Sequence, residues 1–380
     1  MRTQCIFFYF LIFGIFLSFG QELALVRENK LFGYIDRSGE YVIEPQFQKA
    51  ASFSNEYAAS EKDKKWGFIN TSGEWAIQPE YDQVKAFNSG YALVKRDDQW
   101  NYIDGSGKVL KTPVPDKYYD FNDGVAIFKK GEKVGLLGTD GKLILEPTYD
   151  EIKPFKGNYT KARQGELWGL INKKGKEFVP LEYKEIGHYN KNGIWAKKGE
   201  AFGVIAKGAF IPVADVDKIW DFRDGSNLTY ARSNKKLGFV NGEGEWVIQP
   251  TFEKARAFNV GLAPVYFDKK WGYIDEKGDR IIDFTYKDAE VFANNGLAPV
   301  KDKLWGFIDK TGKLVIPQEY DINIGMAFAA TLFGVDDQVG FIEGLARVKT
   351  KKGWGFIDEK GKLLGNRWYK NAELFVDPKK

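Results

Sequence analysis

The sequence predicts an all-β tandem-repeat fold, on the basis of three observations. A block of about 34 residues recurs ten times between Phe32 and Phe375. Each block contains short runs rich in aromatic and β-branched residues, and no stretch outside the N-terminal segment shows a sustained helical period. The copies align on one apolar position, occupied by Phe32, Trp66, Trp100, Val134, Trp168, Phe202, Leu237, Trp271, Trp305 and Trp354. Such a period is typical of arrays whose units bury their apolar faces against one another.

Each unit is predicted to be a three-stranded antiparallel meander. A Gly-led apolar run precedes the aligned position, as in residues 90–94, 261–265 and 344–348. Two further runs then flank Asp-x-x-Gly, as in Asp309 to Gly312 and Asp36 to Gly39. Asp at the start of a type I turn and Gly at its end predict a β-hairpin.

A proline closes the last strand of most units, and aromatic residues follow it. Pro cannot donate to a sheet, so Pro45, Pro79, Pro113, Pro147 and Pro250 should end a strand or lie on an edge. The aromatic residues after these prolines include Phe53, Phe87, Phe155 and Phe258. We expect them to staple the irregular connection between units.

A glycine follows the aligned apolar position in nine of the ten copies. Examples are Gly67, Gly169, Gly272, Gly306 and Gly355, and Asn101 is the exception. Glycine in the middle of a strand costs stability, so its recurrence predicts that a neighbouring backbone or ring packs directly against it. We expect that neighbour to be an aromatic ring of an adjacent copy.

The segments 65–70 (KWGFIN), 270–275 (KWGYID) and 353–358 (GWGFID) resemble the WG-repeat family, also called KWG repeats, of bacterial β-rich tandem-repeat proteins. The resemblance covers residues 24–376. It implies a β-repeat scaffold that is often exported and has no general catalytic residues. The sixth copy departs most, because its turn is shortened at residues 206–208.

Residues 1–20 have the features of a signal peptide. Arg2 is their only charge, residues 6–19 are almost wholly apolar, and Ser18 and Gly20 are small. We expect cleavage to leave residues 21–380 as a mature chain without a stable membrane span, in the periplasm, on the outer surface or secreted. A retained anchor is the alternative, although the apolar run is shorter than the ~20 residues that a span needs.

Composition excludes several chemistries. Cys5 is the only cysteine, so the mature chain has no thiol for disulfides, nucleophilic catalysis or thiolate metal sites. The net charge is +4 and the basic residues are dispersed among acids. A nucleic-acid-binding protein would concentrate them on one face, so we expect no nucleic-acid partner.

Candidate sites were weighed against structural roles. The tryptophans at the aligned position, namely Trp66, Trp100, Trp168, Trp271, Trp305 and Trp354, could stack on sugars, but Val134 and Leu237 at the same position favour core packing. The turn aspartates lie beside lysines and favour turns over calcium sites. The acidic group Asp215, Asp217, Asp221 and Asp224 lacks the spacing of a calcium loop, and His188, the only histidine, is interpreted as an incidental surface residue. We therefore expect no catalytic residues, metal or cofactor.

The ninth copy carries the main departure from the repeat. Trp305 and Trp354 are 49 positions apart, which leaves an insertion of 15 residues at about 323–337. Insertions in repeat proteins often lie on the binding face. The candidate partner-binding residues are Ile322, Met326, Phe328, Leu332 and Phe333. The alternative is an extra buried hairpin that plugs or caps the array.

A propeller-like ring is favoured over an open superhelical array, because closure removes exposed strand edges. The leading functional hypothesis is an exported, non-catalytic scaffold that binds a protein or a cell-envelope component. A glycan-binding module is the first alternative, and a glycoside hydrolase with a pair of carboxylates is the second. A cluster of exposed aromatic residues outside the repeat would favour the glycan, and converging acids in a pocket would favour the hydrolase.

Overall fold

Ten small antiparallel sheets follow one another along the chain in the computed structural model, which describes residues 22–322 and 340–380. They form a ten-bladed β-propeller, so the all-β prediction and the preference for a ring are confirmed. The predicted signal peptide and the insertion residues Met326, Phe328, Leu332 and Phe333 lie outside the described residues. Within the described residues, no helix is long and apolar enough to cross a bilayer.

The first five blades use the N-terminal half of the chain and one strand from its C-terminal end. Blade 1 contains β1 (Ala24–Glu28), β2 (Leu31–Ile35), β3 (Tyr41–Phe47) and β38 (Asn371–Ala372). Blade 2 contains β4 (Lys49–Ala50), β5 (Ala58–Lys62), β6 (Lys65–Ile69) and β7 (Trp75–Tyr81). Blade 3 contains β8 (Gln83–Val84), β9 (Ala92–Arg96) and β10 (Gln99–Ile103). Blade 4 contains β11 (Phe121–Asn122), β12 (Val125–Lys130), β13 (Lys133–Gly138) and β14 (Leu143–Tyr149). Blade 5 contains β15 (Glu151–Ile152), β16 (Tyr159–Gln164), β17 (Leu167–Asn172) and β18 (Glu177–Tyr183).

The remaining blades continue in the same order. Blade 6 contains β19 (Glu185–Ile186), β20 (Ile194–Lys198), β21 (Ala201–Ala206) and β22 (Ala209–Pro212). Blade 7 contains β23 (Lys218–Ile219), β24 (Leu228–Ser233), β25 (Lys236–Asn241) and β26 (Trp246–Phe252). Blade 8 contains β27 (Lys254–Ala255), β28 (Leu262–Phe267), β29 (Lys270–Asp275) and β30 (Arg280–Tyr286). Blade 9 contains β31 (Asp288–Ala289), β32 (Ala298–Lys301), β33 (Trp305–Ile308) and β34 (Leu314–Tyr320). Blade 10 contains β35 (Phe341–Ile342), β36 (Leu345–Thr350) and β37 (Gly353–Asp358), and a 3-10 turn (Leu364–Asn366) follows it.

The prediction of three strands per unit misses a short strand of two residues that most blades contain before their first long strand. Strand β8 begins only two residues after the end of β7, so Asp82 alone separates blade 2 from blade 3. The strand then pairs Gln83 with Lys95 of its new blade. Two residues are too short a run to show an alternating pattern, and this strand is therefore not visible in the sequence.

The Asp-x-x-Gly hairpins form as predicted. The amide of Gly39 donates to the carbonyl of Asp36 at 3.0 Å, and the Asp36 carboxylate accepts the amides of Ser38 and Glu40 at 2.8 and 3.2 Å. Gly39 has a φ of 87°, in the region that glycine favours. The turn glycines also lie against the preceding blade, since a Cβ added to Gly73 would meet Ile43 at 3.0 Å.

The mid-strand glycines have a different neighbour from the one expected. A Cβ on Gly67 would lie 2.5 Å from the carbonyl oxygen of Ile77 and 2.7 Å from the nitrogen of Pro79, in the last strand of the same blade. That strand bulges between Ile77 and Tyr81, which brings its backbone over the glycine. The expected aromatic ring of an adjacent copy is therefore wrong, although close backbone approach explains the glycine. Blade 3 lacks this bulged strand, and there the position is Asn101.

Stacked rings connect the blades. The aromatic residue two positions after the aligned position packs on the Phe of the following connection, at centroid distances of 4.7 to 4.9 Å. The pairs are Tyr34 with Phe53, Phe68 with Phe87, Tyr102 with Phe121, Phe239 with Phe258, Tyr273 with Phe292, Phe307 with Phe341, and Phe356 with Phe375. These contacts confirm that the aromatic residues act as staples and identify their partners.

The ring closes through the two ends of the chain. Strand β38 pairs with β1, matching Val26 with Ala372. The amide of Leu23 donates to the carbonyl of Val376 at 2.9 Å, and the reverse bond is 3.0 Å. The last strand thereby supplies blade 1 with the short strand that every other four-stranded blade takes from the chain directly before it.

A candidate binding site on blades 5 to 7

The aligned tryptophans lie among cations rather than presenting free faces. Trp271 and Trp305 are buried, while Trp66, Trp100, Trp168 and Trp354 are half-buried. The guanidinium of Arg256 lies 4.4 Å from the ring centroid of Trp271. Lysine or arginine groups lie 4.9 to 5.9 Å from the rings of Trp66, Trp168, Trp305 and Trp354. A cation over the indole face stabilises the ring in place and competes with stacking on a sugar.

Three of these cations, Arg163, Lys301 and Lys349, belong to a row of basic residues that runs from blade to blade. The residue opposite the aligned position is basic in eight blades, as Arg27, Lys95, Lys129, Arg163, Lys197, Arg232, Lys301 and Lys349. The sequence suggested no basic stripe, and that inference was wrong, because seven of these eight residues lie five positions before the aligned residue and the repeat itself therefore aligns them. Several of them have acidic partners, such as Glu151 for Arg163 and Asp217 for Arg232. The expected absence of nucleic-acid binding stays a prediction.

Side chains outside the repeat pattern converge on Asp221, between blades 6 and 7. The Trp195 indole nitrogen donates to Oδ1 of Asp221 at 2.6 Å, and the amide of His188 donates to the same oxygen at 3.1 Å. Gly187 leaves the room for this arrangement, since a Cβ there would lie 2.5 Å from the Trp195 ring and 2.7 Å from Asp221 Oδ1. These contacts join residues far apart in sequence, so composition and spacing alone could not predict them.

Burial lowers the pKa of two basic groups that interact electrostatically with Asp221. Desolvation lowers the pKa of His188, and the Lys161 ammonium lowers it further. Desolvation also lowers the pKa of Lys161, helped by Lys153 and Lys156 and opposed by the Asp221 carboxylate. His188 is half-buried rather than the surface residue that was expected.

Three aromatic rings form an exposed cluster beside these groups. Tyr159 lies 4.2 Å from Phe178 and 4.6 Å from Tyr189, and the latter two are 5.5 Å apart at an interplanar angle of 80°. Phe178 is 46% exposed and Tyr189 is 41% exposed. Tyr189 occupies the position that Phe155 and Phe222 fill in neighbouring units, where both rings are buried. We call Tyr159, Phe178 and Tyr189 the aromatic cluster.

The acidic group from Asp215 to Asp224 does not converge on one point. Asp217 pairs with Arg232, Asp224 accepts a bond from Asn190 at 3.3 Å, and Asp221 binds Trp195. Among the described residues, no group of three or more His, Cys, Asp or Glu side chains could hold a metal ion.

Two pairs of acids approach each other, and arginine lies between the members of each. Glu22 and Glu343 are within hydrogen-bond reach at the closure of the ring, and Arg37 pairs with both. That separation is shorter than the ~5 Å of retaining glycosidases. Arg256 lies 3.1 Å from Asp288 and 2.7 Å from the buried Glu290. Burial raises the pKa of Glu290 to about 7 despite this arginine.

Comparison with known proteins identifies the repeat. The family described as "WG containing repeat" matches residues 32–66, 66–100, 102–133, 135–168, 168–200, 238–271, 271–303 and 305–322. The sixth copy, which departs most in sequence, falls in the gap between residues 200 and 238. No curated protein matches the sequence.

Solved structures resemble the chain at low identity. A eukaryotic initiation factor is 10% identical, with 95% of this chain and 99% of that chain covered and a TM-score of 0.48. PorZ, a surface component of the type-IX secretion system of Porphyromonas gingivalis, is 10% identical, with 90% and 57% covered and a TM-score of 0.25. The dihydro-heme d1 dehydrogenase NirN is 11% identical, with 79% and 73% covered and a TM-score of 0.33.

Proposed function

The chain belongs to the family of WG-containing repeat proteins, and from this premise we propose that it is an exported, non-catalytic scaffold that binds a protein or a component of the cell envelope. The export rests on the features of residues 1–20. The proposal for binding rests on exposed apolar side chains that several blades share.

One observation carries the proposal: the edge strands of six blades expose an apolar side chain at the same position. These residues, which we call the apolar row, are Val42, Ile144, Phe178, Val247, Ile281 and Val315, and they are 37% to 46% exposed. Each belongs to the terminal strand of its sheet. Edge strands of proteins without a partner are normally protected by charges.

The fold does not require an apolar side chain at the exposed position, because the residue that follows it in the strand makes the packing contact. The next residue along each strand, such as Ile43, Ile248 or Ile282, is buried and packs against the turn glycine of the following blade. Successive side chains of a strand point to opposite faces, so the packing of one places the other at the surface. A polar residue would serve there equally well for folding. Repeated apolar contacts around a ring suit a partner that binds several blades at once.

The acids support a non-catalytic role. The two acidic pairs described above are both bound to arginine, at Arg37 and Arg256. A carboxylate held in an ion pair is a weaker proton donor or nucleophile than one that faces a substrate.

The test is a quantitative pull-down from envelope extract with residues 21–380 as bait. The double variant Val247→Ser, Ile281→Ser should lose most of a partner that the unaltered chain recovers. Val114→Ser is the matched control, because Val114 is 71% exposed but lies outside the row. A partner lost equally from the control, or retained by the double variant, would rule out the apolar row as the docking surface.

The aromatic cluster gives a specific reason to retain the glycan-binding alternative. Within the described residues, it is the one set of three rings that all contact one another, and two of those rings are more than 40% exposed.

A further inference from the structure

We propose that the aromatic cluster and the adjacent Lys156 and Lys161 form a binding site for an acidic sugar, meaning a pyranose that carries a carboxylate. This site shares Phe178 with the apolar row, but Tyr159, Tyr189 and the two lysines lie outside that row, and the sugar site does not require the row to bind a partner. The proposal rests on the arrangement of the three rings and on the charged groups near them.

The exposure of the cluster is not demanded by the repeat. In seven units the connecting aromatic residue is stapled to a ring of the preceding unit, and Phe155 and Phe222 are buried against aliphatic residues. Tyr189 instead packs on Tyr159 and Phe178 at the surface. Leaving a ring exposed forfeits the free energy of burying it, so a compensating role at this position is a reasonable inference.

The geometry of the rings suits a pyranose. Phe178 and Tyr189 meet nearly at a right angle, and Tyr159 supports both from one side. One exposed ring can then lie under the apolar C–H face of a sugar while the other bounds its edge. Small-ligand sites generally combine such aromatic walls with a few polar groups.

The neighbouring charges favour an anion. Lys156 pairs through its backbone with Tyr159 across a tight turn, and Lys161 lies two residues further along the same strand as Tyr159. Within the described residues, neither lysine has an ion pair, whereas Lys153 is paired with Glu151. Two lysines near a half-buried histidine would gain from a carboxylate that occupies the space between them.

Asp221 supplies a polar acceptor near Lys161 and His188, since its carboxylate opposes the lowering of the pKa of both groups. Its Oδ1 atom is occupied by Trp195 and by the His188 amide, so its position is fixed by two hydrogen bonds. The hydroxyl groups of a sugar are donors that a carboxylate accepts readily. The site therefore offers aromatic faces, cations and one fixed acceptor within blades 5 to 7.

The experiment is isothermal titration calorimetry of the mature chain with tetragalacturonate, and with the neutral galactotetraose as comparison. We expect tetragalacturonate to bind at least ~10-fold more tightly than the neutral probe. Phe178→Ala and Lys161→Gln should each weaken binding by ~10-fold or more, while Lys161→Arg retains it because the charge is kept. Phe267→Ala is the matched control, since Phe267 is 42% exposed and also packs on two rings, those of Phe252 and Phe284.

Thermal melting of every variant separates loss of the site from loss of the fold. If Phe178→Ala unfolds, Tyr189→Phe and Tyr189→Ala provide the comparison, with binding kept by the first and lost by the second. The proposal is overturned if tetragalacturonate does not bind, if the neutral probe binds equally well, or if Phe267→Ala weakens binding as much as Phe178→Ala. Equal binding of a polyglutamate peptide would also overturn it, by showing a site for acidic peptides rather than sugars.

Discussion

The rings of Phe356 and Phe375 lie 4.7 Å apart, and this contact joins the tenth blade to the C-terminal segment that completes the first. The same ring pair occurs between Phe239 and Phe258, also at 4.7 Å, inside the array. The closure of the ring therefore uses the interface found between consecutive blades. The pairing of β38 with β1 and the ion pairs of Arg37 add to this contact at the closure.

Replacing these phenylalanines should separate closure from internal packing. Phe258→Ala should cost ~3–5 kcal/mol of unfolding free energy, because its ring is fully buried. Phe375→Ala should cost less, since Phe375 is half-buried, but it should speed hydrogen exchange in β1 and β38 selectively. Chemical denaturation and hydrogen exchange measure the two effects. Unchanged exchange in β1 would show that the backbone pairing alone closes the ring.

The mid-strand position should tolerate a side chain in blade 3, where Asn101 already occupies it, but not in blade 2, where Gly67 lies under the bulged strand. Gly67→Asn places a side chain where the Ile77 carbonyl stands 2.5 Å away, and it should destabilise the protein by ~1–3 kcal/mol or more. Asn101→Gly, the reverse change at the equivalent position, should alter stability by no more than about 1 kcal/mol. Thermal melting of the two variants tests this comparison. Equal losses would mean that the bulged strand does not determine the choice of glycine.

Trp271 should behave as a core residue. It is 5% exposed and covered by Arg256, so Trp271→Ala should remove ~3–5 kcal/mol of unfolding free energy. Urea denaturation measures the loss, and calorimetry with an oligosaccharide serves as the second readout. Full stability combined with lost sugar binding would instead identify the aligned tryptophans as stacking platforms.

Glu290 should make stability depend on pH between about 4.5 and 7. Burial raises its pKa from the usual 4.5 to about 7, with Asp288 adding to the shift and Arg256 opposing it. The folded protein thus holds a proton that the unfolded chain releases, so this stabilisation is complete below pH 4.5 and is lost as the pH rises through 7. The loss amounts to at most about 3.5 kcal/mol, at about 1.4 kcal/mol per pKa unit.

Glu290→Gln removes the titration, so its stability relative to the unaltered protein should rise from pH 4.5 to pH 8. The same change at the exposed Glu253 controls for general charge effects. Melting curves at several pH values give both differences. Parallel curves for the unaltered protein and Glu290→Gln would contradict the raised pKa.

Sequence patterns predicted those structural features whose residues lie close together in the chain. Asp309 and Gly312 are close in sequence, and the hairpin they predict is present, with the Gly312 amide donating to the Asp309 carbonyl at 3.0 Å. The staple residue Phe258 was recognised by its period, but its partner Phe239 depends on how neighbouring blades pack. The basic row was also present in the sequence, since Arg163 and six equivalents lie five positions before the aligned residue, but the overall mixture of acids and bases obscured it.

The candidate site was harder to predict, because its contacts join residues that are far apart in the sequence. Trp195 and Asp221 belong to different blades, and nothing in their spacing marks them as partners. Tyr189 is aligned with the buried Phe155 and Phe222, yet it is 41% exposed, so its place in the repeat does not reveal its surface position. One sequence signal does mark this site. At an aligned position, Tyr189 replaces phenylalanine and follows His188.

The pairing of β38 with β1 also sets the order of events during biosynthesis. Residues 24–28 leave the ribosome first, but their partners at 371–372 are made last, roughly 20 to 70 s later at ordinary rates of translation. Until then β1 has an unpaired edge and the nascent chain is an incomplete arc. Newly made molecules at high local density could therefore pair with one another at this edge, and the probability of such misassembly is set by the speed of synthesis rather than by the stability of the finished ring.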